Sequence, residues 1–187
     1  IKGRKMRILA SSVSTGNKDL VVLEGRKDTE ADYEPSRRPE VIFTDFAYED
    51  PGAGKVGEPV IELPKESLKN IDLKAVACDM FHIPLEDNSI DVLYERLGAL
   101  WHAANLDMVK GVPERYTRRM IDEYKRVVSP GGKIIIDWVT FEGISTAAKV
   151  ARCAEPDEKE IRDYFEGLGF ETETAGRYDK YLILTNP

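Results

Sequence analysis

The sequence has few of the residues that mark disulfide-bonded, metal-binding or membrane-spanning proteins. Its 187 residues include two cysteines and two histidines. Cys78 and Cys153 have neither Cys-x-x-Cys spacing nor a histidine at the spacing of a zinc site, so the sequence predicts no disulfide framework and no metal site. No apolar run approaches the length of a membrane-spanning helix and no secretory signal is recognisable, so we expect no membrane association and a cytoplasmic protein.

Basic residues are also in deficit. The chain has 27 lysines and arginines against 34 aspartates and glutamates, a formal net charge of -7. This balance argues against a surface devoted to the phosphate backbones of nucleic acids and favours a small-molecule or protein substrate. A local basic patch remains compatible with it, because net charge does not fix where the charges lie.

Strand-like apolar runs alternate with helical patterns along the chain, which is typical of an α/β protein. Asp157 is a predicted helix N-cap, and Glu160 completes a capping box. Pro130-Gly131-Gly132 is predicted to stop the preceding helix. The predicted strands are residues 6–10, 40–46, 72–78, 90–94 and 133–139. The predicted helices are residues 97–106, 113–129 and 157–168. A hairpin with its turn at residues 175–176 is predicted near the C-terminus.

Three motifs in the second half of the chain carry a family resemblance: Asp79 to Tyr94 (DMFHIPLEDNSIDVLY), Lys125 to Gly132 (KRVVSPGG) and Gly169-Phe170. From residue 72 to its end, the chain resembles the class I S-adenosylmethionine-dependent methyltransferases. The resemblance implies a single Rossmann-like domain over residues 1–187, with a mostly parallel seven-stranded sheet, a C-terminal antiparallel hairpin and helices on both faces. It also implies S-adenosylmethionine as methyl donor and S-adenosylhomocysteine as product.

The resemblance also implies the cofactor residues, which follow the predicted strands. Asp45 would hold the ribose hydroxyls, Asp79 and Met80 would meet the adenine, and Glu95 would line the methionine end. Two of these residues have a structural alternative: Asp79 as the cap of the next turn, and Glu95 as the partner of Arg96 in a structural ion pair. Sites of α/β sheets form at the carboxyl ends of the strands, where these residues are predicted to lie.

The first loop departs from the family, whose members carry several glycines there. The sequence ILASSVSTGN at 8–17 keeps only Gly16, so we expect Ser12 and Ser14 to take part in holding the cofactor. Glycine matters here because it allows close approach of the backbone to a ligand. A second register would place the first strand at residues 20–25, with Glu24 as its acid. We favour the register with the first strand at 6–10.

His102 is the candidate general base at the acceptor end, because a histidine titrates near neutral pH. A helix histidine without a catalytic role is the alternative. Asp137, Trp138 and Phe141 follow the fifth predicted strand and are further candidates for the substrate side, with helix or loop capping as the alternative for Asp137.

Two functions follow from these patterns. The first is methyl transfer from S-adenosylmethionine to an oxygen, nitrogen or carbon nucleophile. The second is a catalytically silent binding or regulatory subunit that has lost cofactor binding, motivated by the serine-rich first loop. Little chain precedes the first predicted strand, so we expect the site to be closed by the connections at 47–70, 98–115 and 140–153, or by a partner subunit or second copy of the chain.

Overall fold

The computed structural model describes residues 5–11, 39–46, 72–79, 81–176 and 180–187. Within these ranges the chain forms seven strands and four helices. The strands are β1 (Arg7–Ser11), β2 (Glu40–Phe46), β3 (Asp72–Cys78), β4 (Ile90–Glu95), β5 (Val128–Asp137), β6 (Glu171–Ala175) and β7 (Tyr181–Thr185). The helices are α1 (Ala99–Lys110), α2 (Arg115–Val127), α3 (Trp138–Ala151) and α4 (Glu158–Gly167).

The described strands form one sheet in the order β3-β2-β1-β4-β5-β7-β6. The first five run parallel, and β7 lies antiparallel between β5 and β6. β1 pairs with β2 on one side and with β4 on the other, so the strand order reverses at β1. The predicted α/β class is confirmed, and the reversal at β1 is the point where open sheets of this kind bind ligands.

A row of aliphatic side chains crosses the middle of the sheet. Leu9 is paired with Leu93, Leu93 with Ile134, and Ile134 with Leu184. Each is at most 1% exposed. Burying a side chain of this size contributes about 1.5–3 kcal/mol relative to exposure, so this row fixes the register of the four strands and thereby the level at which their ends meet.

β1 resolves the choice between the two registers of the first strand. Arg7–Ser11 pairs with Glu40–Thr44 of β2 and, from Ile8 onward, with β4. The strand therefore corresponds to the favoured register at 6–10. The alternative strand at 20–25 lies outside the described residues.

α2 has the apolar face that its sequence pattern predicts. Met120, Ile121, Tyr124 and Val127 are all buried. The helix begins later than Pro113, because the carboxylate of Asp107 on α1 accepts hydrogen bonds from the backbone N–H groups of residues 116 and 117, each at 2.8 Å. A cap supplied by a neighbouring helix leaves no local sequence signal, since the usual cap lies directly before the helix.

α4 begins as predicted. The Asp157 carboxylate accepts from the Glu160 N–H, and the Glu160 carboxylate accepts from the Asp157 N–H, which together form the capping box. No helix in the described part of the chain is both long and apolar enough to cross a membrane.

The structure around β5 differs from the predicted strand, helix and connection bounds. The strand expected to reach residue 139 ends at Asp137, and α3 occupies most of the segment predicted as a connection at 140–153. The Asp137 carboxylate accepts from the Val139 N–H at 3.0 Å and so starts the helix. The preceding helix ends at Val127, before the predicted stop at 130–132, which lies within β5. The helix predicted at 97–106, within the connection expected at 98–115, is confirmed as α1 (Ala99–Lys110).

Candidate active site

The candidate site lies at the carboxyl ends of the parallel strands. The strand register places Ser11, the last residue of β1, opposite Thr44 of β2 and Glu95 of β4. Asp45 follows Thr44 and pairs with Ala77 of β3. Asp45 and Glu95 therefore lie on the strands that flank β1, at the point where the strand order reverses.

Several predicted cofactor residues remain predictions. Ser12, Ser14, Gly16 and Met80 lie outside the described residues, as does the connection predicted at 47–70. For Asp45 the structure gives the backbone position in β2.

Asp79 follows β3 and is exposed. Its carboxylate accepts a hydrogen bond from the Phe81 N–H at 2.9 Å, and its carbonyl accepts from the His82 N–H at 3.0 Å. Asp79 thus caps the turn that leaves β3, which is one of the two roles predicted for it. Its contact with adenine stays a prediction.

Glu95 ends β4 with its side chain turned into the protein. The residue is 0% exposed. One carboxylate oxygen accepts from the Gly98 N–H at 2.8 Å, and the other accepts from the Tyr124 hydroxyl at 2.5 Å. The carboxylate therefore braces residues 95–98, which we call the post-β4 loop, against α2. Nothing in the sequence pairs Tyr124 with Glu95, because Tyr124 is only one of several apolar positions on its helix.

The post-β4 loop is held from a second side by α3. Leu97 has a positive φ of 47°, a conformation that costs a non-glycine residue about 1–3 kcal/mol and that clusters at functional sites. Its N–H donates to the hydroxyl of Thr140 at 2.9 Å, and Thr140 is 0% exposed. A Cβ on Gly143 would lie 2.7 Å from the Leu97 side chain and 2.6 Å from Nε1 of Trp101. The loop is thus fixed by contacts that only a small residue at 143 permits.

Asp137 joins the ends of β4 and β5. One of its carboxylate oxygens lies 3.3 Å from the Tyr94 hydroxyl, which donates to it, and 3.4 Å from Nε of Arg96. The other caps α3 through the Val139 N–H. Capping was one of the roles predicted for Asp137. The ion pair with Arg96 links the post-β4 loop to the start of α3.

His102 lies on α1, one turn after the post-β4 loop. Its backbone N–H donates to the Gly98 carbonyl at 3.1 Å. Its ring is half-buried and meets Trp101 edge-on, with 4.7 Å between the ring centroids. Burial lowers the pKa of His102 below its ordinary value of 6.5, since the charged imidazolium loses hydration. The ring is therefore neutral at pH 7.

A depression lies at the opposite edge of the sheet. It has a volume of about 370 Å³ and is lined by Met6, Asp91, Val92 and Ser129–Gly132. These residues are at the amino ends of β1, β4 and β5, so the depression is separate from the carboxyl-edge site. In the described ranges, no three His, Cys, Asp or Glu side chains are grouped closely enough to hold a metal ion.

Comparison with known proteins adds to this geometry. Residues 56–136 match the family described as "Methyltransferase domain". No curated protein matches the sequence. Many solved structures share the fold, among them the carbon methyltransferase CurJ, with 12% identity and a TM-score of 0.62. The chain shares its fold with S-adenosylmethionine-dependent methyltransferases, and residues 56–136 are similar in sequence to the methyltransferase-domain family. The whole chain aligns with CurJ but spans only 50% of the CurJ chain.

Two further solved structures resemble this chain. The Burkholderia thailandensis 1,6-didemethyltoxoflavin N1-methyltransferase, solved with S-adenosylhomocysteine, is 16% identical with a TM-score of 0.53, covering 98% of this chain and 71% of its own. A Haloferax volcanii complex with the Trm112 methyltransferase activator is 13% identical with a TM-score of 0.57, covering 100% and 84%. At sequence identities this low, the similarity establishes a shared fold only.

Proposed function

We propose that this chain is a class I methyltransferase, an enzyme that transfers a methyl group from S-adenosylmethionine to an oxygen, nitrogen or carbon nucleophile of a small-molecule or protein substrate. The observation that carries the proposal is the post-β4 loop. It sits where the strand order reverses, and both the buried Glu95 carboxylate and the buried Thr140 hydroxyl hold it in place. A loop fixed before its ligand arrives loses little conformational entropy on binding.

The acidic residues at the carboxyl edge suit the cofactor. Asp79 offers an exposed carboxylate beside β3, which suits an exocyclic amine donor, and Asp45 lies beside the last residue of β2. We propose that these two residues, with Met80 and the first-loop residues Ser12, Ser14 and Gly16, hold the cofactor. We propose that Glu95 contributes to the same site indirectly, because its carboxylate holds the post-β4 loop in place.

The bound cofactor supplies an electrophilic methyl group. The chain's own contribution is mainly to hold acceptor and donor in line, which can lower the barrier by several kcal/mol. His102 is proposed as the base for an acceptor that carries a proton. Its half-buried neutral ring meets the protonation requirement of that role at pH 7.

The partner and location are also proposals. The Haloferax volcanii relative is a complex with a methyltransferase activator, which supports a partner subunit for this chain; a homo-oligomer is the other arrangement we propose to test. We propose that residues 1–187 form one domain and that the protein acts in the cytoplasm. The silent-subunit alternative makes a different prediction, which is that S-adenosylhomocysteine does not bind.

Isothermal titration calorimetry with S-adenosylhomocysteine tests the proposed function. We expect one site with micromolar or tighter affinity. Asp79→Ala should weaken that affinity by about tenfold or more, because a hydrogen bond to a charged group contributes about 1.5–3 kcal/mol. Glu86→Ala is the control, since Glu86 is an exposed acid in the same connection. Absence of binding by the wild-type chain at millimolar ligand would favour the silent subunit, and equal affinities of the two variants would overturn the role of Asp79.

A further inference from the structure

A cluster of cations and aromatic rings lies beside the candidate site. We call it the Phe81–Tyr116 patch. The two rings have centroids 5.8 Å apart. Arg119 lies over the Phe81 ring with its guanidinium carbon 4.9 Å from the centroid, while Arg115 and Lys110 lie 5.8 and 5.6 Å from the centroid of Tyr116. All three cations are exposed, and both rings are half-buried.

The cations of this patch differ from other cations on α2. In the part of the chain that the structure describes, no carboxylate forms an ion pair with any of the three. On the same helix, Arg118 pairs with Asp122, and Arg126 pairs with Glu123. The patch is thus a local concentration of positive charge on a chain whose net charge is -7.

Two acids close to the rings of the patch are held by backbone N–H groups. Asp107 is buried, and both of its carboxylate oxygens accept from backbone N–H groups at the start of α2. Asp79 accepts from the Phe81 N–H. The patch therefore keeps its cationic character next to these two carboxylates.

The patch borders the carboxyl edge of the sheet. Phe81 is two residues beyond Asp79, which follows β3. At the other end of α2, the Val127 carbonyl accepts from the N–H of Ser89, directly before β4. The last turn of α2 therefore lies at the amino end of β4, and its first turn, with Arg115 and Tyr116, lies at the carboxyl end.

Cations laid over aromatic rings provide what a single nucleic-acid strand requires. Phosphates pair with the exposed charges, and unstacked bases stack on aromatic rings or guanidinium planes. An acidic peptide would use the charges but not the rings. We propose that the Phe81–Tyr116 patch binds single-stranded RNA at the border of the candidate site. This local feature differs from the expectation that the overall charge gives, and it does not depend on cofactor binding.

The test is fluorescence anisotropy of a short, labelled single-stranded RNA titrated with the full chain at low salt. The patch variant is Lys110→Gln, Arg115→Gln, Arg119→Gln. The control variant is Lys149→Gln, Arg152→Gln, Lys159→Gln, which removes the same charge from other exposed positions. We expect the patch variant to lose at least about tenfold in affinity and the control to stay close to wild type. The slope of log affinity against log salt should fall by about two, since each single-strand phosphate contact contributes about 0.7.

The other outcomes are equally decisive. No RNA binding by the wild type, equal losses in both variants, or tighter binding of a glutamate-rich peptide of equal charge would overturn the proposal. S-adenosylhomocysteine affinity and thermal unfolding report whether the patch variant is folded; if it is not, the single substitution Arg119→Gln replaces it and is expected to lose affinity in the same direction. RNA binding without S-adenosylhomocysteine binding would leave this inference standing and remove the proposed methyl transfer.

Discussion

Single buried polar atoms fix the candidate site at the scale of the residue. Thr140 supplies an acceptor to Leu97, whose backbone is in a strained left-handed conformation. Glu95 supplies an acceptor to Gly98. Neither acceptor is solvent-exposed, so water cannot replace it without opening the protein. Polar side chains of this kind hold backbone in a conformation that it would not adopt alone.

Thr140→Val should separate this role from ordinary packing. Valine keeps the shape of threonine but leaves the Leu97 N–H without its acceptor, which costs about 1–3 kcal/mol for a buried donor. Urea unfolding should show that loss, and calorimetry should show weaker S-adenosylhomocysteine binding. Thr146→Val is the control in the same helix, because Thr146 is exposed and donates to the Glu142 carbonyl. If both variants behave alike, the Thr140 hydroxyl does not hold the loop.

Glu123 should make stability depend on pH in the acid range. Burial opposes its ionisation, but hydrogen bonds from Arg126 and from the Ile83 N–H outweigh burial and lower the pKa below 4.5. The unfolded chain therefore binds the proton more readily. The contribution of Glu123 is complete above pH 4.5 and is lost as pH falls through the lowered pKa.

Glu123→Gln removes this linkage. We expect a lower melting temperature at pH 7 and a shallower decline of melting temperature below pH 4.5 than in the wild type. Circular dichroism melts across that pH range measure both effects. Glu86→Gln should follow the wild-type curve, because Glu86 is exposed. A variant curve parallel to the wild-type curve below pH 4.5 would show that another acid carries the linkage.

At the scale of the element, α3 is positioned by a close approach at Gly143. An added Cβ there would lie under 3 Å from both Trp101 and Leu97. Overpacking of this kind typically costs about 1–3 kcal/mol, more than the gain of up to about 1 kcal/mol that alanine brings to a helix. α3, α1 and the post-β4 loop therefore depend on one another's placement.

Gly143→Ala should consequently lower the free energy of unfolding, measured in urea, and weaken S-adenosylhomocysteine binding. Gly167→Ala is the matched substitution at the last residue of α4, where an added Cβ would meet nothing within 4 Å. That change should be neutral or stabilising by up to about 1 kcal/mol. Equal effects at the two positions would indicate a general cost of replacing glycine rather than a close contact.

The elements differ in how far the sequence predicts them. The bounds of β2 and β3 agree with the predicted strands, because apolar and β-branched residues predominate in both. α3 was missed because Trp138 and Val139 continue the apolar run of β5 directly into the helix. The brace between Glu95 and Tyr124 was also missed, since it joins two elements through a contact that has no sequence spacing.

At the scale of the whole molecule, the sheet brings together what the sequence separates. Ser11, Thr44 and Glu95 come from three distant segments, yet the strand pairing sets them at one level beside the reversal at β1. The resemblance implies a mostly parallel sheet, and the carboxyl ends of parallel strands meet at one edge, so this convergence could be predicted. The contacts of Ser12, Ser14 and Gly16 do not follow, because a loop's approach to a ligand depends on backbone angles that residue types alone do not fix.

Cofactor binding should therefore stabilise the molecule as a unit. A ligand that binds only the folded state at about a hundred times its dissociation constant adds about 2.7 kcal/mol. For a chain of this length, that gain corresponds to a rise in melting temperature of about 5–10 °C. We expect S-adenosylhomocysteine to produce this rise in a thermal melt. Asp79→Ala should show a smaller rise at the same ligand concentration, because its site is less occupied.

The triple variant of the Phe81–Tyr116 patch is the control for this melt. Lys110, Arg115 and Arg119 are not among the residues proposed to hold the cofactor, so the variant should show the full rise. If the wild type shows no rise at saturating ligand, the fold is present without its cofactor site, and the silent-subunit alternative replaces methyl transfer. If the wild type and Asp79→Ala show the same rise across the titration, the cofactor binds without Asp79, and the turn-capping hydrogen bond to Phe81 is the whole role of that carboxylate.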